Sequence, residues 1–336
     1  MYRYIFPFIT SFFSSFILTP LMMKLAGIFK IMDYPNERKI HTKPIPLLGG
    51  IAIFLSFNLG VFVSMDYNIP LKGVIYGGTL IFLVGLIDDL KHIPARYRLF
   101  IQILSVGILF SCGICLKIFP FKWLNYLFTI IWVVGITNAM NFLDNMDWLA
   151  VGIAMVSSLF FFAISNLSGD RWLGFISISI AGSCLGFSFY NFPPAKIFMG
   201  DSGATFLGFI LSSIAVMGEW SNESKIVGIA IPILILYILI FDMILITVLR
   251  VLEGKVKNFR EWIEYTGKDH FSHRLVALGF SQTRAVLFII YCCIVLGSVS
   301  LLVYKISSPL LALFSIIILF SITVYSLKIF YGKYLK

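Results

Sequence analysis

The sequence predicts an all-α integral membrane protein, a polytopic bundle of about eleven transmembrane helices. Of its 336 residues, 59% are hydrophobic and only 12% are charged, whereas a water-soluble domain has roughly a quarter charged residues. Apolar runs of about twenty residues also recur, the length that a helix needs to cross a ~30 Å hydrocarbon layer. These features exclude a soluble enzyme and a secreted disulfide-linked domain, and no ten-residue alternating pattern indicates a membrane barrel.

Polar, proline and glycine breaks divide the chain into eleven apolar segments, each expected to be one crossing. In chain order they are 3–24, 47–64, 71–87, 99–118, 123–137, 148–166, 172–190, 203–218, 225–249, 285–304 and 309–329. The first has no small-residue cleavage site, so we expect it to be a retained helix. Because no internal repeat or linker is visible, we expect a single domain over residues 1–336.

Positive charge falls mainly in one set of alternate loops. Nineteen of the 26 lysines and arginines lie in that set and seven in the other, a bias that places the richer set in the cytoplasm. We therefore expect the N-terminus outside, the C-terminus inside, and an active site in the longer cytoplasmic loops. The net charge of +10 reflects this bias and does not predict a nucleic-acid partner. The assignment requires every short segment, such as 123–137, to be a crossing.

Adjacent acids, Asp88 and Asp89, close the third segment and are followed by a basic stretch that includes Arg96. The helix dipole favours cations at a C-terminus, so ordinary capping explains these acids poorly. A solvated loop is the alternative.

A second polar group separates the fifth and sixth segments. Asn138 and Asn141, and then Asp144 and Asp147, recur at three-residue spacing, which on a helical turn places them toward one side. Such a group predicts an oxygen-lined pocket. Turns and an N-cap for the next helix would explain the same residues.

A third group contains Lys196 and then Gly200-Asp201-Ser202-Gly203 at the start of the eighth segment. Glycines let a ligand approach the free backbone N–H groups of a helix start, and Asp201 can bind a hard cation. A plain junction between a loop and a helix is the alternative.

The longest inner loop carries His270, His273 and Arg274. With Arg250, Lys255, Lys257 and Arg260 upstream they form a cationic segment that could bind phosphates. Attachment to anionic lipid is the alternative. In the first inner loop, Arg38, Lys39 and Lys43 would lie at the level of lipid headgroups, where they either orient a lipid phosphate or act only as orientation signals.

Acids that can bind Mg²⁺, cations that can bind phosphate and a surrounding membrane together predict phosphoryl transfer involving a lipid. The ordered motifs resemble those of the bacterial polyprenyl-phosphate N-acetylhexosamine-1-phosphate transferases, which are glycosyltransferase family 4 proteins. The motifs are Asp88-Asp89, Asn138-Ala-Met-Asn141-Phe-Leu-Asp144, Pro194-Ala-Lys-Ile-Phe-Met-Gly-Asp201-Ser-Gly203 and His270-x-x-His273-Arg-Leu, within a core of about 30–285.

The resemblance implies that a polyprenyl phosphate attacks the β-phosphate of a UDP-N-acetylhexosamine, with GlcNAc as the default sugar, at the bacterial inner membrane. By the same resemblance, Asn141 and Asp201 would bind Mg²⁺ or Mn²⁺, and Asp88 and Asp89 would organise the metal and the nucleophile. The remaining residues would contact substrate: Asp144 and Asp147 at the nucleotide, His270, His273 and Arg274 at the diphosphate, Lys43 at the lipid phosphate, with Arg96, Asn138 and Lys196 beside them.

The chain departs from the family pattern at Asn145 and Trp148, where relatives usually have glycines, and at Ser272, where many have a histidine. FucNAc, QuiNAc or MurNAc-pentapeptide donors, a homodimer, and an inactive relative stay open. A transporter is the competing class, but its acids would be spread along the crossings, whereas Asp242 is nearly the only acid inside a segment. For Asp242 itself, a structural contact and a site role are both open.

Overall fold

The computed structural model describes residues 2–35, 43–64, 68–221, 223–258, 261–262, 265 and 267–334. Within these ranges the chain forms thirteen α-helices and one short antiparallel ladder, in which Met32 pairs with Pro46 and Asp33 with Ile45. The predicted all-α polytopic membrane class is confirmed. The chain divides into two compact units, Met1–Gly218 and Glu219–Lys336, and the assignment of one domain stays a prediction.

The first unit holds the ladder and eight helices. The strands are β1 (Met32–Asp33) and β2 (Ile45–Pro46), and the helices are α1 (Tyr2–Phe29), α2 (Gly49–Val63), α3 (Ile69–Leu90), α4 (Ala95–Ser111), α5 (Lys122–Leu143), α6 (Leu149–Ser168), α7 (Arg171–Asn191) and α8 (Gly200–Met217).

The second unit holds the other five described helices. They are α9 (Lys225–Ile235), α10 (Tyr237–Leu252), α11 (Phe271–Ala277), α12 (Gln282–Ile306) and α13 (Pro309–Tyr334).

Each of the eleven predicted apolar segments overlaps a described helix, but α4 ends at Ser111, seven residues before the end of the predicted segment 99–118. Eight of these helices are long and apolar enough to cross a membrane, namely α1, α3, α5, α6, α7, α8, α12 and α13, and α2 is a shorter apolar helix. Helices α9 and α10 meet the same criteria only as a pair. The number of eleven crossings, and the orientation derived from it, stay predictions.

The segment 225–249, expected as one continuous helix, is bent by 74° between α9 and α10. Pro232 lies in the last turn of α9 and has no N–H to donate to the preceding turn. A proline is a common cause of such a sharp break. The bend therefore has a local origin that the average hydropathy of the segment does not show.

Helix α8 is the most buried candidate span, with 89% of its apolar window inside the protein. Glycines on neighbouring helices allow backbones to approach it closely: a Cβ at Gly85 of α3 would lie 2.5 Å from the Cα of Ser202. At Gly50 of α2 it would lie 2.5 Å from the nitrogen of Gly203. Small residues at helix contacts are typical of membrane bundles, and here they surround the N-terminus of α8.

Candidate active site

The N-terminus of α8 is capped by a side chain from another helix. Asp89, on the last turn of α3, accepts hydrogen bonds from the backbone nitrogens of Asp201 at 2.7 Å and Ser202 at 3.1 Å. Gly200 has a φ of +71°, and a Cβ there would lie 2.5 Å from Asp89 Oδ2. Asp89 thus holds the turn that carries Asp201.

Asp88 and Asp201 are joined by one guanidinium nitrogen. Arg98 Nη1 donates to Asp88 Oδ2 at 2.6 Å and to Asp201 Oδ2 at 2.8 Å. The other oxygen of Asp88 accepts from the backbone nitrogen of Ile93 at 2.6 Å. The Asp88 side chain is 3% exposed and that of Asp201 is 37% exposed. Of the two acids, Asp201 is therefore the one open to a ligand.

Sequence reasoning chose Arg96 from this basic stretch and missed Arg98. Arg96 is exposed, and its guanidinium lies 4.8 Å from the ring centre of Tyr97. No contact between Arg96 and Asp88 or Asp201 occurs within the described ranges. Helix α4 starts after Pro94 and directs Arg98, rather than Arg96, toward the acids.

The two asparagines at the end of α5 have different surroundings. Asn138 donates to Gln102 Oε1 at 2.7 Å and to the carbonyl of Val134 at 2.8 Å, so it joins α5 to α4. Asn141 makes no side-chain hydrogen bond to any residue that the structure describes. Asn141 is therefore the amide whose side chain is available as a ligand, and the predicted substrate contact of Asn138 stays a prediction.

Asn141 lies toward the same end of the bundle as Asp201. Helix α5 packs on α8 where a Cβ at Gly208 would be 2.8 Å from the Cα of Thr137. At 1.5 Å rise per residue, Asn141 is about 6 Å along α5 from that contact, and Asp201 is about 10 Å along α8. Asp88 and Asp89 at the end of α3 complete this end of the unit.

The side chain of Asp144, in the turn after α5, also makes no hydrogen bond to the residues that the structure describes. Burial raises the pKa of Asp144 to about 8, and the nearby carboxylates of Asp89 and Asp147 add to the shift. A bound cation would lower that pKa, because a nearby positive charge favours the ionised carboxylate.

Asp147 and Trp148 attach this turn to the segment after α7. Asp147 Oδ2 accepts from the backbone nitrogen of Ala195 at 2.9 Å. Trp148 donates its backbone N–H to Asn191 Oδ1 at 3.0 Å and its indole N–H to Ser188 Oγ at 2.8 Å. Its φ of +64° belongs to the region that glycine adopts most readily. The glycine of the family pattern would adopt this conformation without strain.

Two predicted substrate lysines are exposed. Lys196 lies in the segment after α7, where its backbone nitrogen bonds to the carbonyl of Tyr190 at 2.8 Å. Lys43 lies just before β2. Arg38 and Lys39, predicted beside Lys43, lie outside the described residues. The roles of both lysines stay predictions.

In the second unit, His270 is oriented by Asp242. Asp242 is buried in α10, and its two oxygens contact His270 Nδ1 at 2.8 Å and accept from the backbone nitrogen of Phe271 at 2.7 Å. An acid inside an apolar helix requires such partners. The contact fixes both the imidazole and the start of α11, so Asp242 has at least a structural role.

Arg274 and Arg250 both bind Asp269. Two nitrogens of buried Arg250 donate to the Asp269 carboxylate at 2.7 Å each, and Arg274 Nε donates to the Asp269 carbonyl at 2.8 Å. Burial raises the pKa of Asp269, but the bonds from Arg250 outweigh it and hold that pKa below its usual range. Arg250 is therefore already paired with Asp269 inside the protein. Arg260, expected in the same cationic segment, lies outside the described residues.

His273 follows on the first turn of α11, with its ring centre 6.2 Å from that of His270. Burial lowers the pKa of His273, and the neighbouring His270 and Lys268 lower it further.

The donors fit a hard cation better than zinc. Among the described residues, no group of three or more His, Cys, Asp or Glu side chains is arranged to bind a metal. The available donors in the first unit are oxygens, from Asp201, Asn141 and Asp144. Mg²⁺ retains several waters and needs few protein oxygens, so this set suits Mg²⁺.

Comparison with known proteins gives consistent matches. The profile of glycosyl transferase family 4 matches residues 71–219. A Bacillus subtilis protein named a probable undecaprenyl-phosphate N-acetylglucosaminyl 1-phosphate transferase is 36% identical over 330 residues, which cover 95% of this chain and 90% of that protein. The decaprenyl-phosphate N-acetylglucosaminephosphotransferase of Mycolicibacterium smegmatis is 31% identical over 297 residues, 79% of this chain and 73% of the relative. The phospho-N-acetylmuramoyl-pentapeptide-transferase of Chlamydia muridarum is 33% identical over 213 residues, 54% of this chain and 63% of the relative.

Proposed function

The chain belongs to glycosyl transferase family 4, and from this premise we propose that it transfers N-acetylglucosamine 1-phosphate from UDP-N-acetylglucosamine to undecaprenyl phosphate. The observation that carries the proposal is the 36% identity to the Bacillus subtilis protein, which extends over 95% of this chain. The proposed location is the bacterial inner membrane, with the N-terminus outside and the site facing the cytoplasm.

In the proposed reaction, a phosphate oxygen of the lipid forms a bond to the β-phosphorus of the UDP-sugar. The bond from that phosphorus to the oxygen bridging it to the α-phosphate breaks, and UMP leaves with the electron pair. The product is a polyprenyl diphosphate that carries the sugar. Since no group is oxidised or reduced, catalysis depends on positioning and on balancing charge.

Asp201 and Asn141 would bind Mg²⁺, or Mn²⁺ in its place, with Asp144 nearby. When bound, the cation would neutralise charge on the diphosphate as UMP departs. This part of the proposal is supported by the oxygen-only donors, and by the absence of hydrogen bonds from the protein to the side chains of Asn141 and Asp144 within the described ranges.

Asp88 and Asp89 would act by holding other groups rather than by accepting a proton. Each carboxylate already accepts two hydrogen bonds, Asp88 from Ile93 and Arg98 and Asp89 from Asp201 and Ser202. The nucleophile does not need a base, because a phosphate monoester has a second pKa near 6 and is largely dianionic at pH 7.

The remaining residues would bind substrate. We propose that His273 and Arg274 bind phosphate oxygens, with His270 held in orientation by Asp242. Asp147 would shape the nucleotide pocket through its bond to Ala195.

The direct test is UMP release by the purified full chain given UDP-N-acetylglucosamine, undecaprenyl phosphate and Mg²⁺. A panel with UDP-MurNAc-pentapeptide and other UDP-N-acetylsugars identifies the donor, because one relative is named for the pentapeptide substrate. Release of UMP that requires the lipid supports the proposal. Sugar or ion flux into vesicles without UMP release would instead favour a transporter.

A further inference from the structure

Arg98 is placed as an internal counter-ion between two acids. One of its nitrogens donates both of its hydrogens, at 2.6 Å to Asp88 and at 2.8 Å to Asp201. Two carboxylates this close to one nitrogen would repel each other strongly without a cation between them. Arg98 supplies that charge from the protein itself.

The two acids that Arg98 bridges differ in their exposure and in their other hydrogen bonds. Asp88 is 3% exposed and also bound to the backbone of Ile93, whereas the side chain of Asp201 is 37% exposed. Water or an incoming cation can therefore reach Asp201 but not Asp88. The bond from Arg98 to Asp201 is the one that can be exchanged without burying an unpaired charge.

We propose that Arg98 competes with the divalent cation for Asp201, occupying Asp201 Oδ2 in the metal-free protein and releasing it when the cation binds, while keeping its bond to Asp88. This inference rests on the proposed role of Asp201 as a metal ligand. It assigns Arg98 a positioning role: the guanidinium keeps the acids in place before the metal arrives and weakens metal binding in the absence of substrate.

If Arg98 competes with the metal, its removal should change the metal affinity in the opposite direction from that expected if Arg98 only supports Asp201. If Arg98 only held Asp201 in place for the metal, its removal would weaken metal binding. If it competes, Arg98→Gln should bind Mn²⁺ about tenfold more tightly, because a charged hydrogen bond no longer has to be broken. The metal-free variant should also melt at a lower temperature than the wild type, and Mn²⁺ should raise its melting temperature more.

Mn²⁺ binding is measured by electron paramagnetic resonance on the full chain in nanodiscs, without either substrate. Arg96→Gln removes one positive charge from the same helix end, and among the described residues the Arg96 guanidinium contacts Tyr97 and neither acid, so the Mn²⁺ affinity of this variant should stay within about twofold of wild type. Arg98→Lys keeps the charge without the planar fork and should give an intermediate gain. It also provides the test if Arg98→Gln does not fold.

Equal or weaker Mn²⁺ binding by the Arg98 variants would overturn the inference, as would an equal gain in Arg96→Gln, which would indicate general charge alone. UMP release by the wild type is assayed on the same preparation. Intact UMP release with no change in Mn²⁺ affinity would overturn the Arg98 inference alone, whereas a wild type that binds Mn²⁺ but releases no UMP would count against the proposed function.

Discussion

Replacing Asp89 with Ala tests whether this acid positions Asp201 or accepts a proton. The substitution removes the acceptor of two backbone N–H groups, those of Asp201 and Ser202. A buried donor without a partner costs about 1–3 kcal/mol, so we expect a loss of about 2–4 kcal/mol in unfolding free energy. Asp89→Asn keeps one acceptor oxygen and should lose about half as much.

The matched control is Asp170→Ala. Asp170 caps α7 through bonds from the backbone nitrogens of Trp172 at 3.1 Å and Leu173 at 3.2 Å, at the end of α7 away from the acids. Its removal should cost about 1 kcal/mol and leave the rate of UMP release unchanged. The comparison separates general loss of stability from displacement of Asp201.

Both quantities are measured on detergent-purified protein, stability by thermal and denaturant unfolding and activity by UMP release with kcat and KM determined separately. We expect Asp89→Ala to lose stability and kcat together, with Asp89→Asn between it and the wild type at every pH. An Asp89→Asn variant as stable as the wild type, with a rate that recovers at high pH, would refute capping and identify Asp89 as a base.

Three further outcomes follow from the same contacts. Asp88→Asn should show a rate defect that does not recover between pH 7 and 9, since the dianionic nucleophile needs no base; recovery in the pH–rate profile would contradict this. Trp148→Phe and Ser188→Ala both remove the bond from the indole to Ser188 Oγ, and Ser188→Ala also removes the bond from that hydroxyl to the Cys184 carbonyl; each should cost about 1 kcal/mol, and the double variant should cost less than the sum of the two, whereas additive losses in unfolding would show that the shared bond is not formed. His273 has a lowered folded-state pKa, so the unfolded chain binds its proton first and the protein loses stability as the pH falls below about 6.5. His273→Gln should flatten that part of a plot of melting temperature against pH, and an unchanged slope would contradict the assignment.

The fold was predictable because membrane crossing imposes a length and a composition that can be read locally. The predicted apolar segments overlap with helices, and two of these helices extend beyond the predicted segments. Helix α3 continues through Asp88, and helix α5 continues through Asn138. Hydropathy could not show the bend after α9, because Pro232 changes backbone hydrogen bonding without making the segment less apolar.

The site was predictable in its residue types but not in its pairings. Spacing identified Asp88, Asp89 and Asp201 as chemically unusual, yet the partner of Asp201 is Arg98, 103 residues away. Choosing Arg98 over Arg96 requires the packing of α4 against α3, which no local pattern specifies. For the same reason the cap provided by Asp89 could not be seen, since it joins residues 112 positions apart.

Trp148 replaces a glycine of the family pattern, and the effect of this replacement can be interpreted only with the structure. In the sequence, Trp148 stands only as a departure from the family pattern, in which glycine is usual. In the structure, the backbone retains a conformation suited to glycine while the indole bonds to Ser188 on α7. The departure thus changes how the turn is attached to α7.

We propose that a divalent cation held by Asp201 and Asn141 supports transfer of a sugar phosphate to a lipid. The most direct measurement is UMP release from UDP-N-acetylglucosamine with undecaprenyl phosphate, before and after EDTA treatment and with Mg²⁺ restored. We predict release that EDTA abolishes and Mg²⁺ restores in the wild type, with Asp201→Asn and Asn141→Ala reduced at least about a hundredfold. Undiminished release in EDTA, or full activity in both variants, would contradict the account.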